Sequence, residues 1–387
     1  MSFPLLTLQP VANARHGWVA LSLESDGGID ATALGRMFCE FGLYDSLAGL
    51  PCVVALDAPP ADIGEYIPAQ DIILRLPAAR CADADSARTL LRLNRDGFRL
   101  IADGLPPAGT RLPAAISGLA LAGGDGSPLA AAGEWLPRLP GLHLALGVDS
   151  AEALARARGA GFQWFAGNYP LDPAMAGQAP GGPAAALVLK LLTLIAADAE
   201  TRQIEAVLRQ DPNLSYQLLR LVNSVTFALT QKINTFGQAL QLLGRRQLQR
   251  WLQLLLYASP AAGGPSPLLP RAAMRAALME ELLRQAGEHG DTLERGFMAG
   301  MFSLLEPLLG QPLAEVLGQL SLADDLTAAL LAREGRLGQL LDVVAAGERS
   351  PADLGPALAV AGIDAATWAE TLAQACRWAV QVSREAG

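Results

Sequence analysis

Residues 9–25, QPVANARHGWVALSLES, have the pattern of strand, tight turn, strand. In the second arm Val19, Leu21 and Leu23 alternate with Trp18, Ala20, Ser22 and Glu24, which puts the two sets on opposite faces of an extended segment. Ser22 and Glu24 fall at the end of that arm, where a strand that opens a domain can carry chemistry. The fold turns on whether this arm begins a barrel.

Further strand-like runs follow at 52–58 (CVVALDA), 71–77 (DIILRLP), 98–104 (FRLIADG), 115–123 (AISGLALAG), 142–149 (LHLALGVD) and 162–170 (FQWFAGNYP), after LLTLQP at 5–10 and WVALSL at 18–23. Helical patterns at 31–42, 87–97 and 150–161 lie between them. Strands alternating with helices predict a parallel sheet, and eight strands is the count of a closed βα barrel. Short connections make it a compact one. The segment LDPAMAGQAPGGP (171–183) has no periodicity and reads as a linker. From 184 to 387 leucine recurs at three- and four-residue spacing, with helix stops at Asp211-Pro212, Gly244, 261–267, Gly290 and Gly335. The expected fold class is therefore multidomain. A TIM-like α/β barrel spans 1–170 and an all-α domain spans 184–387.

Composition narrows the function. Hydrophobic residues make up 51% of the 387, charged residues 17%, and the net charge is −9. An acidic chain without a basic stripe is not expected to bind nucleic acid. Cys39, Cys52, Cys81 and Cys376 have neither CxxC pairing nor metal-ligand spacing and read as thiols of a reducing compartment. No secretory-type start is visible, and the longest apolar segment, 184–197, is short and carries Lys190. A cytoplasmic protein that does not engage the membrane is expected.

The order of QPV (9–11), the strand from Trp18 to Ser25, LIADG (100–104) and GFQWFAGNYP (161–170) resembles the EAL family, barrel phosphodiesterases of the bacterial second messenger cyclic di-GMP. The resemblance runs from Leu5 to about Pro170. It implies a metal site at the carboxyl ends of the strands, and there this chain departs from the pattern. The family's signature glutamate falls on Ser22 and its asparagine near Ala55. The next glutamate falls on Arg75, which sets a cation where a divalent ion would sit. The aspartate pair is reduced to Asp103 followed by Gly104. The lysine position falls near Ala120, a later glutamate on Leu146 and the final glutamine on Ala166. Only Asp103 keeps its type, so no metal, no cofactor and no catalytic residue is expected. Glu24 shares the face of Ser22 but lies roughly 6.6 Å further along the strand, too far to replace a ligand, and reads as solvent-facing. Arg75 is expected to pair with Asp103 or Asp57. His16 and His143 have no nucleophile or acid arranged beside them.

In the second half, the segment 204–258 strongly resembles the HDOD domain, a helical module related to the HD phosphohydrolases. Its carriers include Asp211, Pro212, Asn223, Ser224 and Gly244, with structural roles. The His-Asp dyad of the HD enzymes is missing, because the one histidine after residue 184, His289, precedes Gly290. The basic run GRRQLQRW (244–251) reads as a solvated helix surface. Together the two resemblances imply a non-catalytic signalling adaptor that binds other signalling proteins, not an enzyme. The alternative is a receptor whose vestigial barrel still binds cyclic di-GMP or another nucleotide without hydrolysing it.

Overall fold

The computed structural model describes residues 3–60, 62–107, 109–124, 128–176, 183–208, 210, 236–258, 266–320 and 322–386. All eight predicted strands form: β1 (Leu6–Asn13), β2 (Trp18–Ser25), β3 (Cys52–Ala55), β4 (Ile72–Pro77), β5 (Arg99–Asp103), β6 (Ile116–Ala122), β7 (His143–Leu146) and β8 (Trp164–Ala166). They close into a barrel in sequence order. β1 is antiparallel to both of its neighbours, β2 and β8, and every other pairing is parallel. The reason is local. Four residues join β1 to β2, enough for a hairpin and far too few for a crossover. The turn is held by the Asn13 side chain, whose Oδ1 accepts from the backbone N–H of Arg15 (2.8 Å) and Gly17 (3.0 Å), while His16 takes a left-handed φ of 61°.

The pleat sorts side chains as the alternation predicts. Ala20 joins Val11, Val53, Ile73, Ile101, Ala120, Leu144 and Ala166 in a cluster inside the barrel, whereas Leu21 and Leu23 join the outer core under the helices. Three of the eight interior residues are alanine, so the barrel is packed rather than hollow. At the foot of β2 the order reverses: Val19 packs against the interior and Trp18 against the outer core, next to the register shift between Val11 and Ala12. Connecting helices pack outside, among them Ala151–Gly159, which is capped by Ser150 Oγ accepting from Ala153 N.

The start of the predicted linker is helical. A helical turn at Tyr169–Leu171 leads into a short helix, Pro173–Ala176. The helical body then comprises α1 (Pro183–Ala196), α2 (Thr201–Leu208), α3 (Phe236–Ala258), α4 (Leu269–Gln285), α5 (Asp291–Phe302), α6 (Asp324–Ala332), α7 (Gly335–Gly347), α8 (Pro351–Ala361) and α9 (Ala365–Ala386), with two short helices at Leu305–Leu309 and Leu313–Leu317. Gly244, with φ 73° and ψ 167°, breaks α3 into two runs. Asp211, Pro212, Asn223 and Ser224 lie outside the described residues. Among the described residues no helix is long and apolar enough to cross a membrane.

α4 is the axis of this body, buried along nearly its whole length. It lies so close to α5 that a Cβ added at Gly300 would meet Arg275 O at 2.5 Å. Two of its buried residues are arginines. Arg271 and Arg275 both reach the carboxylate of Glu348, which follows α7, at 3.3 Å and 2.7 Å. Arg275 binds it in a two-pronged way, Nε to Oε1 (2.7 Å) and Nη2 to Oε2 (2.8 Å). Burial pushes the Glu348 carboxyl up, but the Arg275 and Arg271 guanidiniums outweigh it and hold it below the usual carboxylate range.

The barrel and the helical body share this network. Arg271 also donates to Gly167 O (2.9 Å) and Asn168 Oδ1 (2.6 Å), just past β8, and Trp368 of α9 donates from Nε1 to Leu6 O (2.7 Å) on β1. Replacing Glu348 with alanine would strand two buried guanidiniums, and the expected loss is about 3–5 kcal/mol at neutral pH. Because the folded carboxyl is held low, its contribution is present above the ordinary glutamate value and lost as the pH falls through the folded value. Urea titrations of both proteins should therefore converge on acidification.

Candidate functional site: the barrel mouth

The site is built by register. Val11 and Ala20 sit opposite one another inside the barrel, and two residues along, Gln9 faces Ser22, then Thr7 faces Glu24. With a period of two, all four point to the same interior face at the carboxyl end of the strands. On β4 the interior Ile73 is followed two residues later by Arg75, and on β5 Ile101 by Asp103. These side chains converge on the mouth.

Arg75 is only 7% exposed. Its Nη1 donates to Glu24 Oε1 at 3.1 Å, and its Nε lies 3.1 Å from Asp103 Oδ2, a charge contact rather than an aligned hydrogen bond. The expected pairing with Asp103 therefore forms, and Asp57 is not its partner. Glu24 is not the free solvent-facing carboxylate that the sequence suggested. A guanidinium from β4 spans the interior and reaches it. The Glu24 and Asp103 side chains are 32% and 37% exposed. Burial raises the Asp103 carboxyl, with Arg75 opposing and Glu24 adding to the rise.

The other expected positions surround this triad. Ser22 is 1% exposed and its hydroxyl has no hydrogen-bond partner. Ala55 pairs beside Arg75. Ala120 and Ala166 belong to the interior cluster, and Leu146 packs against it. Gly104 takes a φ of 88°, and its N–H donates to Ala120 O at 2.9 Å. Among the described residues, no three His, Cys, Asp or Glu side chains gather as a metal-ligand group. The donor set at the mouth does not fit a divalent ion: two carboxylates are bridged by a buried cation, and a hydroxyl, methyls and an isobutyl group fill the rest.

The remaining candidates are dispersed. His16 is half-buried against Arg158, its Nε2 3.3 Å from Arg158 Nη2, and burial and that charge lower its pKa. His143 is buried on β7. His289 is exposed in the turn before α5. Cys52, Cys81 and Cys376 are buried, and Cys39 is exposed. The basic run is in part a solvated face: Arg246 pairs with Asp291 at the exposed surface and Arg245 with the exposed Asp198, while the more buried Arg250 pairs with Glu280 and Glu294. Sequence spacing could not place these partners beside it. Sequence reasoning also missed Gln9 as a contributor to the mouth. Its Nε2 donates to Glu348 O (2.7 Å) and Arg349 O (3.3 Å), more than three hundred residues away, and no local pattern signals that.

Fold and site together define a closed eight-stranded barrel joined to a helical body. Within the body, residues 183–337 match the family model of the HDOD domain, so the chain carries an HDOD domain there. The cyclic di-GMP phosphodiesterase CdgJ of Vibrio cholerae is 32% identical over 201 residues, 52% of this chain and 46% of that protein. YuxH of Bacillus subtilis, an uncharacterized protein, is 28% identical over 207 residues, 52% of this chain and 50% of that one. The chain spans about half the length of the curated relatives it matches. Among solved structures, the PaMucR phosphodiesterase in complex with c-di-GMP is 18% identical with a TM-score of 0.36, covering 43% of this chain and 94% of that one. A putative phosphohydrolase from Shewanella amazonensis is 18% identical with a TM-score of 0.38, covering 56% and 98%.

The first of these relatives corrects the expectation that the chain is not an enzyme: a protein 32% identical over half of it is named a phosphodiesterase. That expectation judged each strand end by its own residue type. The closed barrel brings Glu24 and Asp103 to one mouth, which no single strand end reveals. Replacing Arg75 with methionine would leave these two carboxylates facing each other. The expected loss is about 1–2 kcal/mol, reduced from the fully buried case because both are partly solvated. Asp103 should then titrate at higher pH, visible by carboxyl-carbon NMR. A raised carboxyl contributes most below its unfolded value and loses that contribution as the pH rises, so the penalty of the variant should fade on acidification.

Proposed function

We propose that the chain is a bacterial regulator in cyclic di-GMP signalling that acts by binding other signalling proteins through its helical body, with a degenerate EAL-type barrel as the scaffold. The observation that carries this reading is the mouth itself: the buried Arg75 cation is neutralised by Glu24 and Asp103 in the place where the EAL resemblance implies a metal. Kinship with CdgJ supports the link to cyclic di-GMP, and the HDOD match supports a signalling role for the helical body. The arginines of 244–251 are paired within the chain, which supports protein partners rather than nucleic acid.

A second reading is favoured by the same arginine. Arg75 needs only to leave its two carboxylates to meet a phosphodiester oxygen, which would make the barrel a cyclic di-GMP receptor. Calorimetric titration with cyclic di-GMP separates the two. The leading reading expects no saturable heat at micromolar ligand, together with partner capture that is unchanged in Arg75→Met. Saturable heat that Arg75→Met abolishes would establish the receptor instead. A hydrolysis assay in Mg²⁺ and in Mn²⁺ belongs beside it, given the activity for which CdgJ is named. Turnover that is lost in Glu24→Gln and in Asp103→Asn would assign that activity to the barrel mouth, and the partner-binding reading then stands or falls on the capture arm alone.

A further inference from the structure

Three observations meet on the β1–β8 side of the mouth. Gln9 faces the barrel interior opposite Ser22, yet its amide donates to the carbonyls of Glu348 and Arg349. These carbonyls end α7, where a helix has no internal partners for them, so the cap of a helix in one domain is supplied from the interior of another. Arg271 of α4 holds Gly167 O and Asn168 Oδ1, the first residues past β8. Ser22, one level below the rim, is 1% exposed. At the rim above it, Glu24 of the same strand and Asp103 of β5 still reach solvent. The mouth is closed only in part, and the contacts at Gln9 and just past β8 come from the helical body.

The two kinds of contact between barrel and body differ in strength. Along the outside of β1, α9 is anchored by the buried Trp368 and its bond to Leu6 O. At the mouth the contact with the barrel is polar, Gln9 donating to the α7 carbonyls and Arg271 to Gly167 O and Asn168 Oδ1. The Glu348 ion pairs that position the α7 end lie within the helical body and give back much of their Coulomb gain as lost hydration. When the mouth contact lifts, Glu348, Arg271 and Gln9 recover water, whereas Trp368 would recover little by letting go.

We propose that the end of α7 is an intramolecular stopper on the barrel, with the Glu348 carboxylate as its latch. While Arg271 and Arg275 grip Glu348, residues 348–349 sit over Gln9 and cover Ser22. When the latch is released, the α7 end lifts and the whole mouth opens, while α9 keeps the body attached. Occupation of the mouth and docking of the helical body are then coupled, which gives the barrel a route to change the surface that the helical body offers to partners. This device is independent of the ligand the barrel takes and does not rest on the function proposed above.

Ser22→Cys in a Cys39→Ala background of the full chain gives a reporter thiol, since Cys52, Cys81 and Cys376 are 0% exposed. Its modification by N-ethylmaleimide is followed by mass spectrometry. Adding Glu348→Gln should accelerate modification at residue 22 at least tenfold while the three buried thiols stay unmodified. A rate equal to that of the reporter alone overturns the proposal. Acceleration of all four thiols together also overturns it, because that reports unfolding of the chain. If Glu348→Gln does not fold, Gln9→Met decides. It keeps the ion network and the side-chain length but cannot donate to the α7 carbonyls, and it should accelerate residue 22 severalfold. An unchanged rate in that variant overturns the stopper.

Discussion

One buried carboxylate organises the contact between the two halves of this molecule. Glu348 is buried between Arg271 and Arg275, and through Arg271 it reaches the backbone that leaves β8. A charge in that position is tolerable only because two guanidiniums and their hydrogen bonds replace its water. The geometry that satisfies it also sets the angle of α4, the end of α7 and the rim of the barrel against one another. An apolar contact of the same size would hold the domains together without choosing a register. The ionic contact chooses one.

The mouth of the barrel follows a related logic on a smaller scale. A βα barrel presents its upper interior residues to one another whether or not they bind anything. Here β2, β4 and β5 present Glu24, Arg75 and Asp103, and the cation settles between the carboxylates. Around them Ala55, Ala120, Leu146 and Ala166 provide volume and no donors. The interior below is narrow, with alanine at three of its positions, so the polar chemistry of the barrel is confined to a thin layer at the top.

The fold was largely legible in advance because its signals are periodic and local. Alternation of Leu21 and Leu23 with Ala20, Ser22 and Glu24 defines a strand with two faces, and eight such runs separated by helices define the barrel. The interior location of Ser22, Arg75, Asp103 and Ala166 was legible for the same reason. Which of them touch was only partly legible. Arg75 meets Asp103 as expected, but its reach to Glu24 depends on barrel curvature, a property of the closed sheet. The partners of Arg245, Arg246 and Arg250 were illegible, because they lie 30 to 47 residues away along the chain.

The sequence by itself determined the eight strands, the change from barrel to helices near residue 171, and the residue types at the mouth, since these depend on spacing along the chain. Only the tertiary structure decided that a cation locks the mouth from within and that the Gln9 amide bonds the carbonyls at the end of α7. Both contacts join segments distant in sequence, Glu24 with Arg75 and Gln9 with Glu348. Such pairs leave no periodic trace, because their energy depends on burial and geometry that exist only once the barrel has closed and the helical body has docked on it. The opening hairpin carries both lessons: its alternation announced the strand, and the docked helices decided what Gln9 would bond.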